Sequence, residues 1–216
     1  MRHRRHFTLA GLLLAFLAVG KPALAGSVSY NVSVDTSTLS GQSGFVDFQF
    51  NPGPGALAAT AALSVFATDG SLQGSPQLTG AVAGTLPGPV TLTNSTQFND
   101  YFEGITFGPT ITYDLTLSGD GVGGSAPSGS ALGMSLFDST GTNPLLTTDP
   151  NGTVVTVNVN PDGSTSPETF PQSPNDSTPA ATVSLVTSVP EPSTLVLSSL
   201  PLGWAVWRRL RRRATA

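Results

Sequence analysis

Two carboxylates at a set separation can hydrolyse a glycosidic bond. Asp100 and Glu103 are the best local couple in this chain, inside the run Phe98-Asn99-Asp100-Tyr101-Phe102-Glu103. Exposed aromatics with polar neighbours also suit sugar binding, so Asp100, Tyr101 and Phe102 are the candidate glycan ligands. Sequence proximity does not oppose two carboxylates in space, and the groups that usually support catalysis are missing around this pair. A polar loop on a β-domain, with buried core aromatics, is the plainer reading of the same residues. Hard cations take carboxylate and carbonyl oxygens. Asp69, Asp120, Asp149, Asn151 and Asp162 offer such oxygens in glycine-containing turns. The same residues are ordinary turn formers, and no EF-hand spacing or repeat organises them. No metal-ligand set is assigned, and calcium is the one candidate cofactor.

Charge narrows the chemistry further. The 216-residue chain has a formal net charge of −4. Its cations are confined to Arg2, Arg4, Arg5 and Lys21 at one end and Arg208, Arg209, Arg211, Arg212 and Arg213 at the other. Positions 22–207 contain no Lys or Arg, both histidines are at positions 3 and 6, and there is no cysteine. A nucleic-acid binder needs cations for the phosphates, so nucleic acid is excluded as a partner. Nucleophilic triads built on His or Cys, thiol or imidazole zinc sites and disulfides are excluded too. The expectation is a non-enzymatic domain held together by its core alone.

That core must come from strands. Val28, Tyr30, Val32 and Val34 alternate with polar residues, as do Val46, Phe48 and Phe50, and Ile111, Tyr113, Leu115 and Leu117. Leu63 and Val65, Val90 and Leu92, Ile105 and Phe107, Leu132 to Leu136, and Val155 to Val159 continue the pattern. Period-two alternation of β-branched and aromatic residues marks half-buried strands. Asn51-Pro52-Gly53-Pro54-Gly55, Asp69-Gly70, Pro87-Gly88-Pro89, Asp120-Gly121, Asp149 to Gly152 and Asp162-Gly163 punctuate them. The fold class is therefore all-β: an antiparallel β-sandwich, jelly-roll-like, over residues 26–160. Residues 161–188, with five prolines among Ser, Thr and Asn, read as an extended spacer, with a last strand at 182–187.

The two ends read as targeting segments. Residues 1–25 have a basic start, an apolar stretch and the small residues Ala23 and Ala25, the pattern a signal peptidase cuts to leave Gly26 first. At the far end, Pro190, Glu191 and Pro192 precede an apolar stretch from Leu195 to Trp207, then the five arginines. Such a stretch suits a short transmembrane helix, with the arginines fixing its topology on the cytoplasmic side. This segment, 189–213, resembles the PEP-CTERM sorting signal. The resemblance implies recognition and cutting by the membrane enzyme exosortase near Pro190-Glu191-Pro192. It also implies a Gram-negative bacterium that makes exopolysaccharide or biofilm matrix. The same tail is carried by some proteins named for ice binding. Ser43 to Gly53, Phe98 to Phe102 and Pro144 to Pro150 further resemble an uncharacterised family of PEP-CTERM proteins.

The expectation from these readings is a protein secreted across the inner membrane, transiently anchored by its C-terminal helix, and released to the envelope, surface or matrix. Its partners would be signal peptidase, exosortase and exopolysaccharide. The alternative is a carbohydrate-binding, less readily carbohydrate-cleaving, β-sandwich module stabilised by calcium.

Overall fold

The computed structural model describes residues 26–186. Ala23, Ala25, Pro190, Glu191, Pro192 and the five C-terminal arginines therefore lie outside the described residues, as do the segments expected to form an N-terminal signal helix and a C-terminal transmembrane helix. Within them the chain is all-β. It forms β1 (Ser27–Asp35), β2 (Ser43–Pro52), β3 (Thr60–Thr68), β4 (Ser71–Thr79), β5 (Val82–Gly84), β6 (Val90–Thr93) and β7 (Asp100–Thr106). It continues with β8 (Thr110–Ser118), β9 (Ser130–Phe137), β10 (Thr153–Val159), β11 (Thr165–Thr169), β12 (Pro171–Ser173), β13 (Asp176–Pro179) and β14 (Ala181–Val186). A single 3-10 turn at Ser37–Leu39 interrupts the strands.

Two six-stranded antiparallel sheets result, ordered β14-β1-β8-β3-β6-β5 and β11-β10-β9-β2-β7-β4, with β12 and β13 as a separate hairpin. Alternation explains how they pack. Tyr30, Val32, Val34, Ile111, Tyr113, Leu115 and Leu117 turn inward from the first sheet. Val46, Phe48, Phe50, Leu132, Met134 and Val157 turn inward from the second. The Phe48 ring meets Tyr113 edge-on across the two sheets, with centroids 5.2 Å apart. Edge-to-face contact is the geometry that ring quadrupoles favour. The Tyr30 hydroxyl also reaches across to Thr165 Oγ1 at 2.7 Å.

The structure departs from the pattern read in the sequence at three places. The spacer at 161–181 is folded. Pro161 to Gly163 turn the chain from β10 into β11, and β12 and β13 follow. The prolines sit where strands tolerate them. Pro167 lies in β11, at the edge of the second sheet, and Pro171 pairs with Pro179 in the small hairpin. β14 then pairs with β1 and closes the first sheet, so the sandwich runs past residue 160. Second, β4, a segment that no alternating run marks, is a strand whose only aliphatic side chains besides Pro76 are Leu72 and Leu78. As an edge strand it is broken by a bulge between Gln73 and Gln77, with Gly74 at φ 80° and Pro76 inside the bulge. Bulges and prolines of this kind blunt an edge against pairing with other chains. Third, Val65 does not share Leu63's inward orientation. A bulge between Ser64 and Ala67 places it at φ 52° and 71 % exposed, and Phe66 takes the inward position.

Candidate functional site

Side-chain parity decides what the expected ligand residues can do. On β7, Tyr101, Glu103 and Ile105 point inward, and Asp100 and Phe102 point outward. Tyr101 is fully buried, accepts a hydrogen bond from the Leu86 N–H at 2.9 Å and donates to Glu103 Oε2. Burial, then Glu103, pushes its phenol above the ordinary range, and burial also raises the Glu103 carboxyl. Tyr101 is therefore a core residue and not a sugar platform. Asp100 and Glu103 lie on opposite faces of one strand and cannot flank one bond.

The outward faces of the second sheet form a site instead. Successive rows run straight across it. One row is Phe102 on β7, Asp47 on β2, Ser135 on β9 and Thr153 on β10. The next is Asp100, Gln49, Gly133, Thr156 and, on β11, Glu168. The third is Asn51, Ala131, Asn158 and Ser166. The middle strand thus carries Ala131, Gly133 and Ser135 between longer polar side chains on both sides. Small residues on one strand make a valley along it, since outward side chains stand roughly perpendicular to a sheet. The resulting groove has a volume of about 580 Å³. Gly133 faces its floor, where an added Cβ would come within 3.0 Å of Thr153 Cγ2.

Loops close the ends. Asp149 and Asn151, two of the turn residues considered for calcium, come to the groove rim. Asp149 Oδ2 accepts from the Thr153 N–H at 3.1 Å and from the Thr153 hydroxyl, which ties this loop to β10. Burial opposes its ionisation, but these hydrogen bonds outweigh burial and hold the carboxyl below the usual range. Phe137 and Phe170 are aromatic members of the lining. Phe137 is followed by a loop in which Asp138 gathers Asn143 Nδ2 at 2.7 Å and Thr140 Oγ1 at 2.6 Å. Those bonds lower the Asp138 carboxyl. Phe45 and Phe102 stack beyond Phe137, with centroids 4.6 Å apart and planes 16° apart.

Asp47 is the unusual group. It faces the groove yet is only 3 % exposed. Its Oδ2 accepts from Gln49 Nε2 at 2.9 Å. Burial first, then hydrogen-bond and charge contact with Asp100, push its carboxyl far above the usual carboxylate range. Asn99, completely buried, sets the entry to β7. Its Nδ2 donates to Phe50 O and Thr96 O, both at 2.8 Å, and its Oδ1 accepts from the Ala81 N–H at 2.9 Å. Its own N–H bonds Asn51 Oδ1 at 2.8 Å, which orients an amide of the groove.

The remaining turn acids do not gather. Asp69 accepts from Thr110 Oγ1 at 2.6 Å, and Asp162 from Ser164 Oγ at 2.6 Å. Among the described residues no group of three or more acidic, His or Cys side chains could hold a metal. Sequence reasoning missed Asp47, Gln49, Asn51, Ser135, Thr156, Asn158 and Glu168 as a site. The usable signal was the polar half of the alternation in β2 and β10, combined with the small outward residues of β9. No protein-family model, curated protein or solved structure matches the chain.

Proposed function

We propose that this chain is an exported, non-enzymatic surface or matrix protein whose β-sandwich binds a glycan in the valley along β9. One observation carries the binding reading. A groove floored by Ala131, Gly133 and Ser135 is walled by the side-chain amides of Gln49, Asn51, Asn151 and Asn158 and by Thr hydroxyls, with Phe137 and Phe170 in its lining. Amides and hydroxyls donate and accept at once, which is what a row of sugar hydroxyls requires. Binding sites of this kind combine apolar contact with a few placed polar groups.

The ligand class follows from charge. Asp47, Asp149 and Glu168 line the groove, and the described residues contain no Lys, Arg or His. A polyanionic glycan would meet repulsion with no counter-charge from the described side chains, so the reading favours an uncharged one. The nesting β1-β8-β3-β6 opposite β2-β7-β4 supports a jelly-roll reading of the sandwich, as two interlocked Greek keys. A glycan array with neutral and uronic-acid polymers, together with a screen for released reducing ends, tests the binding reading. Binding to neutral polymers without hydrolysis is expected. Binding confined to uronates, or turnover, contradicts it.

Delivery would rest on the ends. The signal-peptide pattern of residues 1–25 supports export through signal peptidase, and the Pro190-Glu191-Pro192 tail supports sorting by exosortase toward an exopolysaccharide layer. Glu191→Ala should leave the C-terminal segment attached when the cell-bound protein is weighed by mass spectrometry. Processing equal to wild type would reduce the tail to a simple anchor.

A further inference from the structure

Asp47 and Asp100 stand diagonally on β2 and β7, since Gln49 is the residue opposite Asp100 and Phe102 the residue opposite Asp47. Both side chains stand on the outward face of that diagonal. Each leaves one oxygen, Oδ1, buried with no hydrogen-bond partner. Asp47 is 97 % buried by its 3 % exposure. Leaving a buried acceptor unpaired is costly, more so for a charged group, and neighbouring carboxylates repel. Proteins ordinarily answer such a pair with a basic side chain. Positions 22–207 supply none. Among the described residues, 26–186, no side-chain cation is present to neutralise the pair.

We propose that Asp47 and Asp100 form a binding site for one hard divalent cation, taken by their two unpartnered Oδ1 atoms at the junction of β2 and β7. The donor set fits a hard cation in kind, being carboxylate oxygen with no sulfur or imidazole. Gln49 completes the neighbourhood. Its side chain bonds Asp47 Oδ2 and receives Asn51 Nδ2 at 3.4 Å, so an ion here braces the same amides that wall the groove. The site is distinct from the turn acids first considered for calcium, of which Asp69, Asp149 and Asp162 accept from Thr110, Thr153 and Ser164. A proton shared by the two carboxyls would meet the same need for neutralisation, and the test separates the two.

The experiment melts the chelator-treated full-length protein with and without calcium, with magnesium as a parallel arm. Extracellular calcium sites bind at roughly 0.1–1 mM, so about 10 mM calcium should raise the Tm by on the order of 3–8 °C. Asp47→Asn and Asp100→Asn should each abolish the shift, with the variants melting cooperatively in chelator. Calorimetric titration of the wild type should give one ion per chain, lost in Asp100→Asn, which keeps the test valid if Asp47→Asn does not fold. Absence of any shift with either metal, or a shift kept by both variants, overturns the site and leaves the shared proton.

Discussion

The two outer faces of the sandwich are built from the same alternation and reach different ends. On the first sheet the outward polar residues bond across strands. Ser29 meets Thr116 at 2.8 Å, and Asn31 Nδ2 donates to Asp114 Oδ1. A smaller hollow of about 300 Å³ lies there, near Val65. On the second sheet the polar chains of β2 bond along their own strand instead, Asn51 to Gln49 and Gln49 to Asp47. Across from them β9 offers Ala131, Gly133 and Ser135, which cannot fill the gap. The proposed binding face thus differs from the solvated face by where its hydrogen bonds run and by one strand of small residues. The strands themselves are of one kind.

That contrast can be broken on the grooved side more severely than on the solvated side. The largest expected effect is Asn99→Ala. It strands Phe50 O, Thr96 O and the Ala81 N–H and should cost about 3 kcal/mol, read as a fall in denaturation midpoint with an unchanged m-value. A loss under about 1 kcal/mol would show that the corner of β7 is held otherwise.

The next effect is a pH dependence confined to the second sheet. Burial and Asp100 push the Asp47 carboxyl up to about 9. A raised carboxyl binds its proton more tightly folded than unfolded. Its contribution is complete below the unfolded carboxylate range and is lost as pH rises toward about 9. With divalent ions removed, stability should fall by roughly 1–2 kcal/mol between about pH 6 and about pH 8. Asp47→Asn should flatten that slope, and a slope unchanged in the variant would contradict the assignment. The smallest effect belongs to the first sheet. Asp114→Ala removes an exposed polar contact and should change stability by less than about 0.5 kcal/mol.

How much of this was legible in the sequence follows from where each residue sits. Strands β1, β2, β8, β9 and β10 announce themselves because each has one face in the core, which forces period-two alternation. β4, β11, β12 and β13 do not. They lie at an edge or outside the two main sheets, bury little, and carry proline and glycine that read as loop or stalk. Tyr101 was misplaced because an aromatic run in a polar setting looks like a ligand platform. The Tyr101-Glu103-Ile105 parity, with Ile105 pointing to the core, held the information that Tyr101 faces inward. The groove was half legible. Asp47, Gln49 and Asn51 are visible as the polar half of β2, and Thr156 and Asn158 as that of β10. Their convergence on Ala131, Gly133 and Ser135 depends on β2 pairing with β9, a long-range choice that no local pattern specifies.

The central claim, that the valley along β9 is the glycan site, is tested most directly by filling it. Ala131→Trp puts a large ring into the groove, and Thr112→Trp does the same on the outer face of the first sheet. Calorimetric titration with the neutral oligosaccharide that binds the wild type best should show a loss of on the order of 100-fold or more for Ala131→Trp, as expected when a central contact is blocked. Thr112→Trp should bind as wild type does. Equal binding by all three proteins, or a loss confined to Thr112→Trp, would contradict the account.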